Sequence, residues 1–192
     1  MKSRIVVHCL LLCLFATVTA LAAGAQASTD AKPTFASVFD GQLSSVEKTV
    51  VPAAEAMPDD KFNFAPTQGE YKGVRTFGAE IKHMAVANYA YASGILGEKP
   101  PLDLGGGPDG PANVKSKAEI VQFLKDSFAY AHKAINTIDE KNVLEPIKAP
   151  FGSGTTTRLA LAIRACSHPY DHYGQMVEYL RMNGIIPPAS RK

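Results

Sequence analysis

The sequence is short of cysteine once its N-terminal apolar run is set aside. It has 192 residues and three cysteines, and Cys9 and Cys13 both lie in that run, so only Cys166 remains in the rest of the chain. A single cysteine cannot form an internal disulfide, and the domain must therefore rely on its hydrophobic core. About 165 residues suffice to bury such a core. We interpret Cys166 as a small buried side chain.

The chain also lacks an excess of charge of either sign outside the apolar run. It has 20 basic and 18 acidic residues, and Lys2 and Arg4 account for the net charge of +2, because residues 1–27 contain no acidic residue. Residues 28–192 are therefore formally neutral. Proteins that bind nucleic acid usually carry a basic surface, since phosphate contacts supply much of their affinity. We expect no nucleic-acid partner.

The N-terminal segment, residues 1–27, has the pattern of a secretory signal peptide. A basic start precedes an apolar run over residues 5–23, and Ala25 and Ala27 follow with the small-residue spacing of a cleavage site. A retained membrane anchor is the alternative, because the run approaches the length that spans a bilayer. The small residues favour cleavage. This predicts an exported protein, periplasmic or extracellular, without stable membrane insertion, whose mature domain is residues 28–192.

The spacing of apolar residues in the mature chain is helical, and we find no convincing alternation of the kind that predicts a strand. The pattern predicts four helices, over residues 34–56, 76 to 94 or 96, 116–138, and 156 or 157 to 183. Ser116 and Glu119 form a capping box at the third helix start. Irregular connections rich in proline and glycine separate the helices, at residues 57–73, 96–111 and 142–154. We therefore predict an all-α four-helix bundle with long irregular connections.

Two histidines in the fourth predicted helix, His168 and His172, are spaced to bind one ion. They are four residues apart, which places them on one face about 6 Å apart along the helix axis. The face continues through apolar residues, so we expect it to point inward. Burial without polar partners is costly, and a divalent ion would serve both imidazoles. The alternative is a pair of core histidines satisfied by hydrogen bonds.

A third histidine, His83, lies on the small apolar face of the second predicted helix. Alone it would be interpreted as structural, but in a bundle it can meet the pair from the facing helix. Three imidazoles would leave at least one coordination position open to water. The remaining histidine of the mature chain, His132, falls beside the inward stripe of the third helix, and we interpret it as a boundary or surface residue.

Three other side chains are candidates for roles at this site. Glu80, one turn before His83, could hydrogen-bond a ligand or a metal-bound water and is the candidate catalytic group, with a solvated helix glutamate as the alternative. Gln175 lies one turn after His172 and could orient its imidazole, although an interhelical hydrogen bond would explain it as well. Tyr179 is the tyrosine best placed near the site.

Parts of the chain resemble the DinB-like (YfiT-like) proteins. The similar stretches are MPDDKFNFAP at residues 57–66, FGAEIKHMA at 77–85, HPYDHYGQ at 168–175 and YLRMNGIIPP at 179–188. The resemblance covers essentially the mature chain and implies an up-down-down-up bundle. It also implies that His83, His168 and His172 bind a metal, often zinc or nickel. Three nitrogen ligands would also suit iron or copper.

Two features bear on the activity that the resemblance implies. Pro169 lies inside the two-histidine motif and removes one helical hydrogen bond, which can kink the helix there. The better-defined relatives use cytoplasmic thiols such as bacillithiol or mycothiol, which an exported protein would not meet. We therefore expect a metal-dependent hydrolase that activates water for attack on an unidentified small molecule. A thiol-dependent S-transferase and a non-catalytic metal- or ligand-binding module are the alternatives, and a homodimer stays open.

Overall fold

The computed structural model describes residues 32–192 and builds them mainly from helices. The predicted signal peptide, residues 1–27, lies outside the described residues, so its cleavage and the export of the protein stay predictions. Within residues 32–192, none of the helices combines the length and the hydrophobicity needed to cross a bilayer.

Four long helices form the bundle. They are α1 (Phe35–Ala56), α2 (Phe77–Leu96), α3 (Lys117–Ile135) and α4 (Arg158–Met182). Two 3₁₀ turns, Asp59–Lys61 and Pro188–Ser190, and two short strands, β1 (Pro146–Lys148) and β2 (Thr155–Thr157), complete the described elements. The predicted all-α architecture is confirmed, and each helix begins and ends within a few residues of its predicted position.

Hydroxyl side chains determine where the helices begin. One caps each helix by accepting a hydrogen bond from the backbone amide three residues later; these residues are Thr34, Thr76, Ser116 and Thr157. The predicted capping box is present, because the Glu119 carboxylate also accepts from the Ser116 amide at 2.9 Å. At the other end of α2, Gly97 adopts the left-handed conformation with φ of 70°, which terminates the helix.

Helix packing brings α2 and α4 together. The main contacts join α2 to α3 and α4, and α1 to α3 and α4, so α1 and α2 occupy opposite corners of the bundle. All four helices contribute fully buried side chains to the core between them, among them Leu43, Met84, Phe128 and Met176. This arrangement places the helix that carries His83 against the helix that carries His168 and His172.

Two short strands that the sequence pattern did not indicate lie just before α4. Strands β1 and β2 pair antiparallel, with Ile147 opposite Thr156, and β2 leads directly into α4. Each strand has only three residues, too few for an alternating pattern to be visible in the sequence. Pro146 begins β1, a position where its missing amide proton costs little.

His132 is a boundary residue, and the surface interpretation of it is wrong. Its ring is partly buried between α3 and α1, where Nδ1 lies 2.6 Å from Asp40 Oδ1 and Nε2 lies 3.2 Å from Glu47 Oε2. The Asn136 amide also donates to Asp40 Oδ1, at 2.9 Å. These hydrogen bonds join α3 to α1.

Candidate metal centre

The three predicted ligands meet between α2 and α4. One ligand atom from each of His83, His168 and His172 lies within 4.8 Å of the other two. His172 is buried and the other two are partly buried. The Nε2 atoms of His168 and His172 are 3.2 Å apart. Two nitrogens that bind one tetrahedral zinc ion at bond lengths near 2.0 Å are themselves about 3.3 Å apart, so the spacing of this pair fits a shared ion.

Hydrogen bonds assign the protons on two of the rings. The Pro108 carbonyl can only accept, so His83 Nδ1, which is 2.9 Å away, must donate to it. The Glu80 carboxylate lies 2.6 Å from His172 Nδ1 and likewise accepts a hydrogen bond from the Nδ1 proton of that ring. In a neutral imidazole the proton on Nδ1 leaves the lone pair on Nε2. Both rings therefore present Nε2 to an ion.

Glu80 is buried, so the alternative interpretation of it as a solvated helix glutamate is wrong. Its exposure is 2%, and the carboxylate contacts the His172 ring at the end remote from Nε2. A carboxylate that accepts from the outer nitrogen of a metal-binding histidine fixes the orientation of the ring and makes it a better ligand. The contact therefore corresponds to the first predicted role, a hydrogen bond to a ligand.

Gln175 contacts the same nitrogen of His172 from α4 itself. Its side-chain Nε2 lies 3.3 Å from His172 Nδ1, and the residue is exposed. The Nδ1 proton of His172 points to Glu80, so Gln175 could accept a hydrogen bond from it only through its side-chain amide oxygen. Rotation of the Gln175 amide exchanges its oxygen and nitrogen and would place the oxygen there. Gln175 thus lies where it can help to orient the imidazole, at the solvent side of the Glu80 contact.

Burial favours the neutral form of two of the imidazoles, those of His83 and His168. It is the main cause that lowers the pKa of His168 to about 3, and the neighbouring His172 and His83 rings add to the effect. Burial also lowers the pKa of His83, with a smaller contribution from the charge of Arg75. His168 Nδ1 is buried without a hydrogen-bond partner among residues 32–192. Imidazoles must be neutral to bind a metal, so these environments suit ligands.

Pro169 does not interrupt α4, which runs unbroken from Arg158 to Met182. The proline lacks the amide proton that would reach the carbonyl of Ala165, so one helical hydrogen bond is missing next to His168. The helix nevertheless keeps the register that places His168 and His172 on one face. Pro169 is therefore accommodated within α4 beside the two histidines.

Several groups at the site were not identified from the sequence. Pro108 belongs to an irregular loop, where no periodicity reports on contacts. Tyr91 packs edge-on against His168, with ring centroids 5.8 Å apart, but its position in α2 is typical of any core tyrosine. Arg75 pairs with Asp109 at 3.0 Å, which joins two connections far apart in sequence. The hydroxyl of Tyr179 donates to the Arg75 carbonyl at 3.1 Å.

Comparison with known proteins agrees with this geometry. The family model described as the DinB superfamily matches residues 42–176, which include all three histidines. Among solved structures, a DinB-like protein from Bacillus cereus ATCC 10987 superposes with a TM-score of 0.61 at 18% sequence identity. The match covers 81% of this chain and 96% of that one, and at this identity it shows the fold alone. No curated protein sequence matches the chain.

Proposed function

The chain belongs to the DinB superfamily, and from that premise we propose that it is an exported metal-dependent hydrolase. His83, His168 and His172 would hold one divalent ion, zinc or nickel in the first place. The observation that supports this most directly is the convergence of three imidazole nitrogens within 4.8 Å of one another. A divalent ion bound there would polarise a substrate carbonyl and lower the pKa of water.

The residues around the histidines favour an open site over a closed structural one. Three protein ligands are the usual number in catalytic zinc sites, whereas structural sites use four. Among residues 32–192, these three histidines are the one group of three or more His, Cys, Asp or Glu side chains that lie close enough together to hold an ion. One coordination position is therefore left to water or substrate.

Glu80 acts in this proposal as a positioning residue. Its carboxylate contacts the Nδ1 atom of His172 and would act through that ring, by fixing its tautomer and orientation. The Pro108 carbonyl does the same for His83. Both ligands would then be ready to bind without rearrangement, which lowers the entropic cost of forming the site.

The experiment measures metal content, ester hydrolysis and thiol transfer on the same samples. Protein recovered from cells that express the full chain, without a histidine tag, should carry about one divalent ion per chain by elemental analysis. It should hydrolyse p-nitrophenyl esters, and His172→Ala should lose both the ion and the activity. His132→Ala is the matched control, because it removes a histidine from another part of the bundle and should keep the ion.

Four results would contradict the proposal. One is the absence of bound metal after incubation with zinc or nickel. Another is ester hydrolysis that is equal in wild type and His172→Ala. The third is transfer of a thiol to an electrophile such as monochlorobimane without hydrolysis, which would favour the S-transferase. A stoichiometric ion with neither activity would favour the non-catalytic binding module.

A further inference from the structure

A largely apolar cavity of about 880 Å³ lies beside the metal centre. It is enclosed by the second half of α2, by the loop that follows α2, and by the β1–β2 hairpin. Its apolar walls include Val86, Ala90, Leu104, Ile147, Pro150 and Phe151. Sites for small molecules usually have volumes of about 300–1,000 Å³ and mostly apolar walls. The cavity therefore has the size and chemistry of a ligand site.

Residues that line the cavity lie next to His83. Val86 and Ala90 line the cavity and lie three and seven residues after His83 in α2, so all three lie along one side of the helix. Pro108 also lines the cavity, and its carbonyl is the group that accepts from His83 Nδ1. Pro108 thus both lines the cavity and orients His83, a predicted metal ligand.

A second contact joins the cavity to the other side of the metal centre. Phe151, at the hairpin, packs edge-on against Tyr91 with ring centroids 5.7 Å apart. Tyr91 packs in turn against His168 at 5.8 Å. The cavity lining therefore contacts His83 on α2 through Pro108, and it contacts His168 on α4 through Phe151 and Tyr91.

The cavity lining also includes positively charged side chains. Lys99 follows the end of α2, Lys148 ends β1, and both line the cavity. Neither forms an ion pair within the part of the chain that the structure describes. Glu98 also lines the cavity, but its carboxylate accepts from the Tyr130 hydroxyl at 2.8 Å and lies 3.8 Å from Lys133 Nζ. The charge available to a ligand is therefore that of Lys99 and Lys148.

The distance along α2 between His83 and the helix end that precedes Lys99 limits the length of the ligand. His83 and Leu96, the last residue of α2, are 13 residues apart. At a rise of about 1.5 Å per residue, they are separated by about 20 Å along the helix axis. A lysine side chain can fold back over an apolar surface. A ligand somewhat shorter than this distance would therefore reach from the histidines to the lysines.

We propose that this cavity binds the substrate of the metal centre, an elongated amphipathic molecule with an anionic group. Its apolar body lies between α2 and the hairpin, its reactive group lies at the three histidines, and its anionic group lies at Lys99 and Lys148. The inference rests on the proposed function, since it names the substrate class of the same site.

The test measures binding of decanesulfonate by isothermal titration calorimetry, to zinc-loaded protein recovered from cells that express the full chain. A sulfonate is a weak ligand for zinc, so it reports on the lysines. The double variant Lys99→Gln/Lys148→Gln should weaken binding by about tenfold, which is within the range that two exposed ion pairs contribute. Binding of decanol, the neutral counterpart, should stay unchanged. The control Lys48→Gln/Lys141→Gln removes two exposed lysines elsewhere and should bind both probes like wild type.

A second variant tests the cavity itself. Ala90→Phe places a large side chain inside it and should weaken both probes, while the melting temperature reports whether the bundle is intact. Equal affinity of wild type and Ala90→Phe for decanesulfonate would overturn the assignment of the ligand to this cavity. Equal affinity of wild type and the Lys99→Gln/Lys148→Gln variant would overturn the anionic group.

The orientation of the ligand separates this inference from the proposed function. In cobalt-loaded protein, paramagnetic relaxation should broaden the methyl protons of decanesulfonate more than the methylene protons next to the sulfonate. The reverse order would overturn the arrangement even if the protein is a metal-dependent hydrolase. If the protein binds no metal but still binds the probe in a lysine-dependent way, the cavity assignment is supported and the proposed function falls.

Discussion

Glu80 Oε2 lies 2.6 Å from His172 Nδ1, and the two side chains are 3% and 8% exposed. One residue belongs to α2 and the other to α4, so the contact joins these two helices at the candidate metal centre. A buried carboxylate needs a partner, and a buried imidazole needs its tautomer fixed before it can bind an ion. Each residue provides what the other requires.

Replacing Glu80 should therefore weaken metal binding. Glu80→Ala removes the acceptor for His172 Nδ1, and losing such a support typically costs 10- to 100-fold in metal affinity, so a loss of roughly that size is expected. Glu80→Gln should lose less, because its amide oxygen can still accept the proton. Competition for zinc with a chromophoric chelator measures both. Glu70→Gln, at an exposed position, is the control, and a Glu80→Ala affinity equal to that of wild type would contradict the positioning role.

The metal-free protein should lose stability as the pH falls below about 6.5. Burial lowers the pKa of His168 to about 3 and also lowers that of His83, whereas both rings titrate near 6.5 in the unfolded chain. Between these values the unfolded state binds more protons, so acid favours unfolding. Because His168 is only partly buried, the slope from each ring should stay below about 1.4 kcal/mol per pH unit.

Urea unfolding of chelated protein at several pH values measures this slope. His168→Gln removes one of the two titrating rings and should flatten the dependence between pH about 4 and 6. A slope unchanged by His168→Gln would mean that the ring does not titrate as its burial implies.

His132 should contribute to stability without contributing to metal binding. It hydrogen-bonds Asp40 and Glu47 across the α1–α3 contact, and His132→Ala would leave both carboxylates without that partner. We expect a loss of about 1–2 kcal/mol in the free energy of unfolding, measured in urea. Lys133→Ala, at the neighbouring exposed position, should change it by less than about 0.5 kcal/mol. Loss of bound metal from folded His132→Ala would contradict the separation of the two histidine sites.

Export should produce a mature N-terminus close to residue 28. The prediction depends on the basic start, the apolar run and the small residues at Ala25 and Ala27. N-terminal sequencing of protein recovered from outside the cytoplasm measures it, with an Ala25→Leu/Ala27→Leu variant expected to be cleaved poorly. Recovery of a cytoplasmic protein that retains Met1 would overturn the export and restore thiols of the cytoplasm as candidate substrates.

Local sequence signals predicted the helices and the identity of the ligands. A capping hydroxyl such as Thr76 and a terminating glycine such as Gly97 act within a few residues, so their effects are readable along the chain. The spacing of His168 and His172 is equally local. His83 could be added because the four amphipathic helices, once in a bundle, leave few ways to bury its face.

The contacts that support the ligands could not be predicted in the same way. Glu80 and His172 are 92 residues apart, and their contact depends on the relative rotation of two helices. Pro108 reaches His83 from an irregular loop, whose path follows from tertiary packing. The short hairpin that closes the apolar cavity has strands of only three residues, which carry no periodic signal. Sequence periodicity and spacing therefore indicated the three histidines as candidate ligands, whereas the residues around them could be identified only from the fold.

Removing the metal should leave the bundle folded. Side chains from all four helices are fully buried in a continuous core, which does not depend on three ligands at one place. An ion bound only by the folded state adds about 3–4 kcal/mol when its free concentration is 100 to 1,000 times Kd. Chelation should therefore lower the melting temperature, while far-ultraviolet circular dichroism at room temperature stays helical. His172→Ala should already melt at the chelated temperature and should not respond to chelator. Loss of most of the helical signal on chelation would instead make the metal a structural element, as in small zinc domains whose core is too small to fold alone, and would remove the case for an open hydrolytic site.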